Sequence, residues 1–192
     1  MKIKHAVIAA AGKGSRLSMG MPKCLVEVEG KKIIDYQLNL LKNIEDVRVV
    51  VGYKCEEVIK YVSSIRKDVK FIINSDFLTT NTLQSFYMGC VDIKDFCIIL
   101  DGDIIFNKES FYEFISDYKQ GKAENLIGIS EVNTEDAVFV DIKEVNGQKC
   151  VSSFSRNCKT KYEWANIAIL HTSLLAYKPT YVFEQLQKYL PI

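Results

Sequence analysis

The stretch AVIAAAGKGSRLSMGMPKCLVEV, from Ala6 to Val28, joins a continuously apolar run to a loop rich in glycine and cations. The run Ala6–Ala10 predicts a strand that is buried on both faces. The loop favours a bound polyphosphate, because glycines let the backbone approach closely and present N–H groups while the cations supply charge. A loop that only turns the chain does not need three cations. The residues concerned are Gly12, Lys13, Gly14, Arg16 and Lys23.

The loop does not match two common phosphate-binding patterns. Position 17 is Leu, so the third glycine of the dinucleotide fingerprint G-x-G-x-x-G is missing, and G-x-x-x-x-G-K-[ST] is absent. Arg16 can hold phosphate oxygens in a fork, while Lys23, fixed by the preceding Pro22, adds a mobile point charge. The alternative is a glycine-rich surface turn with solvated cations.

Up to Leu100 the chain alternates β-rich runs with helical patterns, which predicts a mostly parallel sheet with helices on both faces. Ligands of such sheets bind at the carboxyl ends of the strands. The glycine loop and Asp101-Gly102-Asp103 both follow predicted strands, so we expect them at this edge. The predicted strands are Ala6–Ala10, Val47–Val51, Val69–Asn74 and Phe96–Leu100. The predicted helices are Lys32–Asn43, Glu56–Ser64, Thr82–Cys90 and Lys108–Lys119.

After Asn125 the pattern changes to short strands, with Asn146-Gly147 as a strong hairpin signal. This predicts a β-rich, mixed or antiparallel extension that forms a wall over the ligand edge. No repeat, low-complexity stretch or linker divides the sequence, so we expect residues 1–192 to form a single α/β domain.

Composition argues for a cytoplasmic protein and against several classes of partner. The net charge of +1 gives no general attraction to nucleic acid or to an anionic membrane. No apolar run approaches the ~20 residues that span a bilayer. The six cysteines include no CxxC pair and favour buried, reduced thiols. The two histidines, His5 and His171, lie near opposite ends of the sequence and suit neither a His-based zinc site nor a triad.

The segment from Ile8 to Lys31, A-A-G-x-G-S-R-L followed by P-K-C-L-V-E-V-x-G-K, resembles the nucleotidyltransferases that activate sugar phosphates and alcohol phosphates. Three later segments are similar to further elements of that family, and the resemblance covers roughly residues 3 to 175. It implies a Rossmann-like nucleotidyltransferase core. The later segments are Val51-Gly52-Tyr53, residues 100–103 (LDGD) and residues 163–168 (EWANIA), the last with Ala168 where glycine is usual.

The resemblance implies that a phosphate oxygen of an acceptor attacks the α-phosphorus of a nucleoside triphosphate and releases pyrophosphate. Such a reaction needs charge neutralisation and in-line placement, with Mg²⁺ bridging the phosphates. Asp103 would be the magnesium ligand, Arg16 and Lys13 would hold the β- and γ-phosphates, and Lys23 would neutralise the α-phosphate or the incoming phosphate. The alternative for Asp103 is an ordinary turn aspartate, and Asp101 would cap or orient the loop.

Residues 79–85 (TTNTLQS) occupy the place where family members grip the base and ribose. The segment lacks a G-T-A element and is similar to the T-N-N-x-x-S-L segment of phosphocholine and aminoalkylphosphonate cytidylyltransferases. CTP is therefore the expected nucleotide, ahead of UTP or dTTP. The alternative is that Asn81 or Thr82 only caps a helix. The full expected nucleotide set is Ala9, Ala10, Ala11, Gly12, Lys13, Gly14, Ser15, Arg16, Gly52, Asn81, Thr82, Ser85 and Gly102.

The expected acceptor is a small phosphorylated or phosphonate compound, contacted by Arg156, Glu163, Trp164 and Asn166. Trp164, with Tyr162 and Phe106, could form an aromatic wall for a choline-like cation, or all three could be core residues. By analogy, the product would be a CDP derivative for surface polysaccharide or lipid decoration.

One departure from the family pattern keeps alternatives open. The second metal-binding Asp, on a late D-x-x-x-D element, is absent, and Asp141 and Glu163 are its nearest substitutes. One carboxylate with water, a different metal arrangement, a shortened chain or impaired catalysis would each account for this. The competing functions are therefore a sugar-1-phosphate nucleotidylyltransferase that uses UTP, GTP or dTTP, and a non-catalytic nucleotide-binding module.

Overall fold

A computed structural model describes residues 2–14, 20–121 and 123–192 of the protein. The strands are β1 (His5–Ala10), β2 (Glu27–Val28), β3 (Lys31–Lys32), β4 (Asp46–Val51), β5 (Lys70–Ile73), β6 (Phe96–Asp101), β7 (Leu126–Glu131), β8 (Phe139–Val145), β9 (Gln148–Ser155) and β10 (Tyr162–His171). The helices are α1 (Ile33–Leu40), α2 (Cys55–Ile65), α3 (Thr82–Cys90), α4 (Lys108–Lys119) and α5 (Val182–Leu186).

The main sheet has a parallel half and an antiparallel half. Its order is β5-β4-β1-β6-β10-β8-β9, and β7 pairs with β10. The strands β5, β4, β1 and β6 run parallel, whereas β10 is antiparallel to β6, β7 and β8. The predicted α/β class, with a mostly parallel core and a β-rich extension, is therefore confirmed.

Side chains of the central strands alternate between two apolar layers, which explains their continuously apolar sequences. Ala6, Ile8 and Ala10 of β1 face the layer that contains α1, α2 and α4. Val7 faces the other layer, which α3, α5 and the strands β8 and β9 complete. Helices thus cover both faces, as predicted.

The predicted α3 and α4 have the observed bounds, and several other ends differ by a few residues. The helix predicted over Lys32–Asn43 forms only over Ile33–Leu40, and the strand predicted over Val69–Asn74 forms over Lys70–Ile73. Helix α1 stops because Leu41 leaves helical geometry, at φ −87° and ψ 11°. Periodicity extends into such flanking turns, so it fixes the existence of an element better than its ends.

The hairpin signal is confirmed. Asn146 and Gly147 both have positive φ, 52° and 76°, and join β8 to β9 with Val145 opposite Gln148. This is the backbone that a two-residue type I′ turn requires. Along the described ranges, no helix has the length and apolar character needed to cross a bilayer.

Candidate active site

Three loops meet at the carboxyl edge of the parallel strands, and two of them, the glycine loop and the loop that carries Asp103, were predicted there. They follow β1, β4 and β6. The Tyr53 N–H donates to the Ala11 carbonyl over 3.0 Å, and the Gly102 N–H donates to the Ala9 carbonyl over 2.9 Å. The end of β1 is therefore hydrogen-bonded to both neighbouring loops.

Glycine is required at two of these crossings. A Cβ at Gly52 would lie 2.8 Å from the Ala11 carbonyl oxygen, and one at Gly102 would lie 2.8 Å from the Ala9 carbonyl oxygen. Both contacts are to backbone, which cannot move aside as a flexible side chain can. The two glycines thus let the loops pack closely around the predicted phosphate cradle.

Lys23 links the glycine loop to Asp103. Gly14 has φ +64°, and a Cβ there would meet the Lys23 Cγ at 2.6 Å. The Lys23 Nζ donates to the Asp103 Oδ2 over 2.7 Å. Gly12 and Lys13 are exposed beside this pair, while Ser15 and Arg16 lie outside the described residues. The structure therefore brings together Lys23, Asp103 and the described part of the glycine loop.

The carboxylates of Asp101, the last residue of β6, and of Asp103, just after it, have different surroundings. Asp103 is exposed, whereas Asp101 is half-buried at the strand end. Burial, and then the charge of Asp103, raise the pKa of Asp101 to about 7. Asp101 is therefore partly protonated near neutral pH, while the Asp103 carboxylate forms an ion pair with Lys23.

The carboxylate oxygens at this edge are ligands of the kind that magnesium prefers. Mg²⁺ is bound by hard oxygen ligands and uses one or two carboxylates together with substrate phosphates. Among the described residues, no set of three or more His, Cys, Asp or Glu side chains could hold a metal ion. Asp103 beside the predicted phosphate cradle would hold Mg²⁺ together with the phosphates of a nucleotide.

The segment predicted to grip the base is held largely by internal hydrogen bonds. The Asn81 Oδ1 accepts from the Gln84 N–H over 3.2 Å, so the capping interpretation of Asn81 is confirmed. Its Nδ2 donates to the Thr180 carbonyl over 2.8 Å. Ser85 is buried and accepts from the Asn74 Nδ2 over 3.3 Å, while Thr82 is half-buried. Contact of these residues with a base stays a prediction.

A cavity of about 840 Å³ opens beside the Asp103 loop. Its walls are residues 104–107, α4, β7 and β10, and it includes all the residues predicted to contact an acceptor. The β-rich extension thus forms the expected wall beside this edge. The predicted residues on the wall are Arg156, Glu163, Trp164 and Asn166.

These side chains are held in different ways. The exposed Arg156 guanidinium lies over the rings of Tyr181 and Phe183, at 5.1 and 5.5 Å from their centroids. Asn166 has φ +55° within the irregular register between Trp164 and Ala168, a bulge that Asn tolerates better than most residues.

Glu163 is buried, with 4% of its surface exposed, although it carries a carboxylate. Its Oε1 accepts from the Asn133 N–H over 3.1 Å, and its Oε2 accepts from the Thr134 hydroxyl over 2.5 Å. Both of these donors are neutral, and among the described residues Glu163 forms no ion pair.

The aromatic wall is only partly present. Phe106 and Trp164 line the cavity, whereas Tyr162 is absent from the described lining. Trp164 is mostly a core residue, since its ring packs edge-on against Phe154 at 6.2 Å and its Nε1 donates to the Ile167 carbonyl over 3.3 Å. The core interpretation therefore holds for most of its surface.

Sequence reasoning missed Gln37. This side chain of α1 is fully buried, and its Nε2 donates to the carbonyls of Asp101 and Ile104 over 2.7 and 2.8 Å. The available signal was a single amide among the apolar residues on the buried face of α1, where hydrophobic periodicity predicts another aliphatic residue.

Comparison with known proteins agrees with this geometry. CTP:phosphoglutamine cytidylyltransferase of Campylobacter jejuni is 35% identical over 124 residues, which is 58% of this chain and 48% of that protein. Choline-phosphate cytidylyltransferase of Streptococcus pneumoniae is 32% identical over 111 residues, 55% of this chain and 47% of that protein. The chain thus spans about half the length of these curated relatives.

Solved structures show the same fold. UDP-glucose pyrophosphorylase from Acinetobacter baumanii superposes with a TM-score of 0.77 at 16% identity, covering 98% of this chain and 82% of that one. Residues 6–167 match the MobA-like NTP transferase domain, a span that contains the glycine loop, Lys23, Asp103 and the four residues predicted to contact an acceptor. The chain therefore belongs to the MobA-like NTP transferase domain family.

Proposed function

We propose that the protein is a nucleotidyltransferase that transfers a nucleoside monophosphate from CTP to a small phosphorylated or phosphonate acceptor and releases pyrophosphate. The observation that carries this proposal is the Lys23–Asp103 contact of 2.7 Å beside the glycine loop. An ammonium and a carboxylate at this spacing can serve a phosphate and its metal ion together.

In the proposed reaction an acceptor oxygen forms a bond to the α-phosphorus as the bond to the bridging oxygen of pyrophosphate breaks. The loop backbone after β1 would hold the triphosphate, and Lys23 would offset charge on the transferred phosphate. Asp103 would hold Mg²⁺, which supplies charge neutralisation at the phosphate oxygens when bound. No side chain needs to form a covalent bond, so placement and charge supply the catalysis.

The choice of CTP rests on two supports. Relatives at 35% and 32% identity are named as cytidylyltransferases. The segment that includes Asn81 also lacks the G-T-A element of many sugar-1-phosphate enzymes. The alternative is a sugar-1-phosphate acceptor with UTP, GTP or dTTP, which the fold shared with a UDP-glucose pyrophosphorylase and the 840 Å³ cavity would accommodate.

The cavity favours an acceptor that also carries a cationic group. The charged side chains among its described lining residues comprise four carboxylates and one guanidinium. Arg156 suits the phosphate or phosphonate, and the buried Glu163 accepts from two neutral donors among the described residues. An ammonium group near Glu163 would compensate its charge. The four carboxylates are Glu113, Asp117, Asp136 and Glu163.

Thermal unfolding with nucleotides tests the proposal. With Mg²⁺ present, we expect CTP at about 100 times its dissociation constant to stabilise the protein by ~2.7 kcal/mol, and UTP, dTTP, ATP and GTP to stabilise it less. Pyrophosphate release with phosphocholine and aminoalkylphosphonates then tests transfer. A preference for another triphosphate would favour the sugar-phosphate alternative. Stabilisation by CTP without turnover on any acceptor would favour the non-catalytic module.

Replacing Glu163 by Gln tests the cationic acceptor. The Gln oxygen can still accept from the Asn133 N–H, and its Nε2 can donate to the Thr134 hydroxyl oxygen, but the charge is lost. We therefore expect kcat/KM for an ammonium-bearing acceptor to fall about tenfold or more. The KM for CTP should not change. Equal losses for charged and uncharged acceptors would contradict a cation contact at Glu163.

A further inference from the structure

Gln37 contacts the loop that carries Asp103 from beneath the sheet edge. The loop runs from Asp101 to Ile104, and the single Gln37 amide nitrogen donates to the carbonyls at both of its ends, over 2.7 and 2.8 Å. Asp103 lies between these two carbonyls in sequence. One side chain therefore fixes the backbone on either side of the predicted metal ligand.

The orientation of this amide follows from its partners. Carbonyl oxygens only accept hydrogen bonds, so the nitrogen of Gln37 and not its oxygen must face them. Its Oε1 is buried and has no hydrogen-bond partner in the described part of the chain. A buried acceptor without a partner is unfavourable, so the favourable contribution of this amide comes from the donors that face the loop.

The position of Gln37 on α1 makes a packing role insufficient as an explanation. Ile34, Leu38 and Leu41, on and just after this helix, are buried in the same apolar cluster. An aliphatic side chain would fill this space without an orphaned oxygen. The chain instead places an amide where it reaches the Asp103 loop.

Other contacts hold the same loop and show what Gln37 adds. The Gly102 N–H donates to the Ala9 carbonyl, which ties the loop to β1. Lys23, which contacts the Asp103 carboxylate, precedes Cys24 and Leu25, and these two residues pack in the apolar cluster with α1. Helix α1 thus supports the Lys23 ammonium through the packing of Cys24 and Leu25. It supports the Asp103 carboxylate through the hydrogen bonds of Gln37.

We propose that Gln37 is a positioning residue of the active site, which holds residues 101–104 so that the Asp103 carboxylate faces Lys23 and the glycine loop. Groups that orient a metal ligand from outside its coordination shell tune metal binding, and their removal changes metal affinity or activity about 10- to 100-fold. The consequence for turnover rests on the proposed function. The consequence for the order of the loop does not.

The test compares Gln37→Met with Gln185→Met. Met keeps the side-chain length and removes the amide donors in both variants. Gln185 is a matched control, because it is buried on α5 with 3% of its surface exposed and its Nε2 donates to the Leu174 carbonyl over 2.9 Å. Thermal unfolding of both variants shows whether their losses of stability are comparable.

The first measurement is hydrogen–deuterium exchange in the peptide that contains residues 101–105. We expect faster exchange there in Gln37→Met and no change there in Gln185→Met. The second is the Mn²⁺ affinity in the presence of a non-hydrolysable nucleotide, which we expect to weaken about 10-fold or more only in Gln37→Met. In a turnover assay, kcat should fall and a higher Mg²⁺ concentration should partly restore it.

The proposal is overturned if Gln37→Met and Gln185→Met show the same exchange in residues 101–105, or if the Mn²⁺ affinity is unchanged while exchange in that loop rises. If the wild-type protein binds neither nucleotide nor metal, the proposed function fails. The exchange comparison still decides in that case whether Gln37 holds the loop. The two failures are therefore distinguishable.

Discussion

The variant Asp103→Asn is expected to lose pyrophosphate release by at least 10²- to 10³-fold, the order found when one group that stabilises transition-state charge is removed. The substitution is nearly isosteric, but it removes the negative charge that would hold Mg²⁺ and that contacts Lys23 over 2.7 Å. Asp103 is exposed, so the variant should unfold at close to the wild-type temperature.

The matched control is Asp95→Asn. Asp95 is also exposed but lies just before the amino end of β6, at the opposite end of the strand from Asp103. Its Oδ1 accepts from the Phe96 N–H over 2.7 Å, which the Asn oxygen can also do, so we expect turnover to stay within about twofold of wild type. An active Asp103→Asn enzyme would show that the metal-ligand assignment is wrong.

The second large effect is expected at Arg48, far from the proposed chemistry. Arg48 is buried on β4, and its guanidinium contacts the carboxylates of Asp46 and Asp92 and the Gly89 carbonyl. His5 and Lys70 also contact Asp46. This network ties the amino end of β4 to the carboxyl end of α3.

Replacing Arg48 by Met should lower the free energy of unfolding by about 3 kcal/mol. The largely buried Asp46 carboxylate would lose the guanidinium and keep its contacts with His5 and Lys70. The Gly89 carbonyl would lose this donor. Chemical denaturation measures the loss.

The control is Arg66→Met. The Arg66 guanidinium also donates to backbone carbonyls, those of Leu41 and Ile44. Its carboxylate partner Asp68, however, is mostly exposed, so a smaller loss is expected. Equal losses in the free energy of unfolding would mean that burial of the Arg48 network adds nothing to stability.

The loss of folding stability at low pH gives a second measure of the same network. Burial opposes ionisation of Asp46, but hydrogen bonds from Arg48, Lys70 and His5 outweigh it and hold the pKa of that carboxyl well below its usual range. A carboxyl with a lowered native pKa stabilises the fold above its unfolded pKa of about 3.9 and loses that contribution as the pH falls. Below this pH, the slope of the free energy of unfolding against pH should therefore be smaller in Arg48→Met than in the wild-type protein.

The sequence alone predicted the order and type of the principal elements, because apolar alternation and helical spacing are local signals. It also predicted the edge at which the glycine loop and Asp103 meet, since parallel strands place their carboxyl ends together. Helix α1 was predicted too long and β5 too long at both ends, because the same periodicity continues into flanking turns.

The sequence could not predict which contacts individual polar side chains make. Asn81 was predicted to read a base and also to cap α3; the cap is observed, together with a hydrogen bond to Thr180 that lies 99 residues away in sequence. Tyr162 was considered for the cavity wall, yet it does not line the cavity in the described structure. A residue's partners across such separations depend on how the strands and helices pack.

What the sequence determined by itself is the family and the α/β architecture, and it predicted which residues hold phosphate. These follow from a short local pattern, in which two glycines and nearby cations follow a buried strand. Only the tertiary structure decided that Lys23 reaches Asp103, that Glu163 lies buried among neutral donors, and that Gln37 holds the Asp103 loop. Each of these contacts joins residues from different parts of the chain, and its geometry is set by the packing of the sheet, α1 and the β-rich extension.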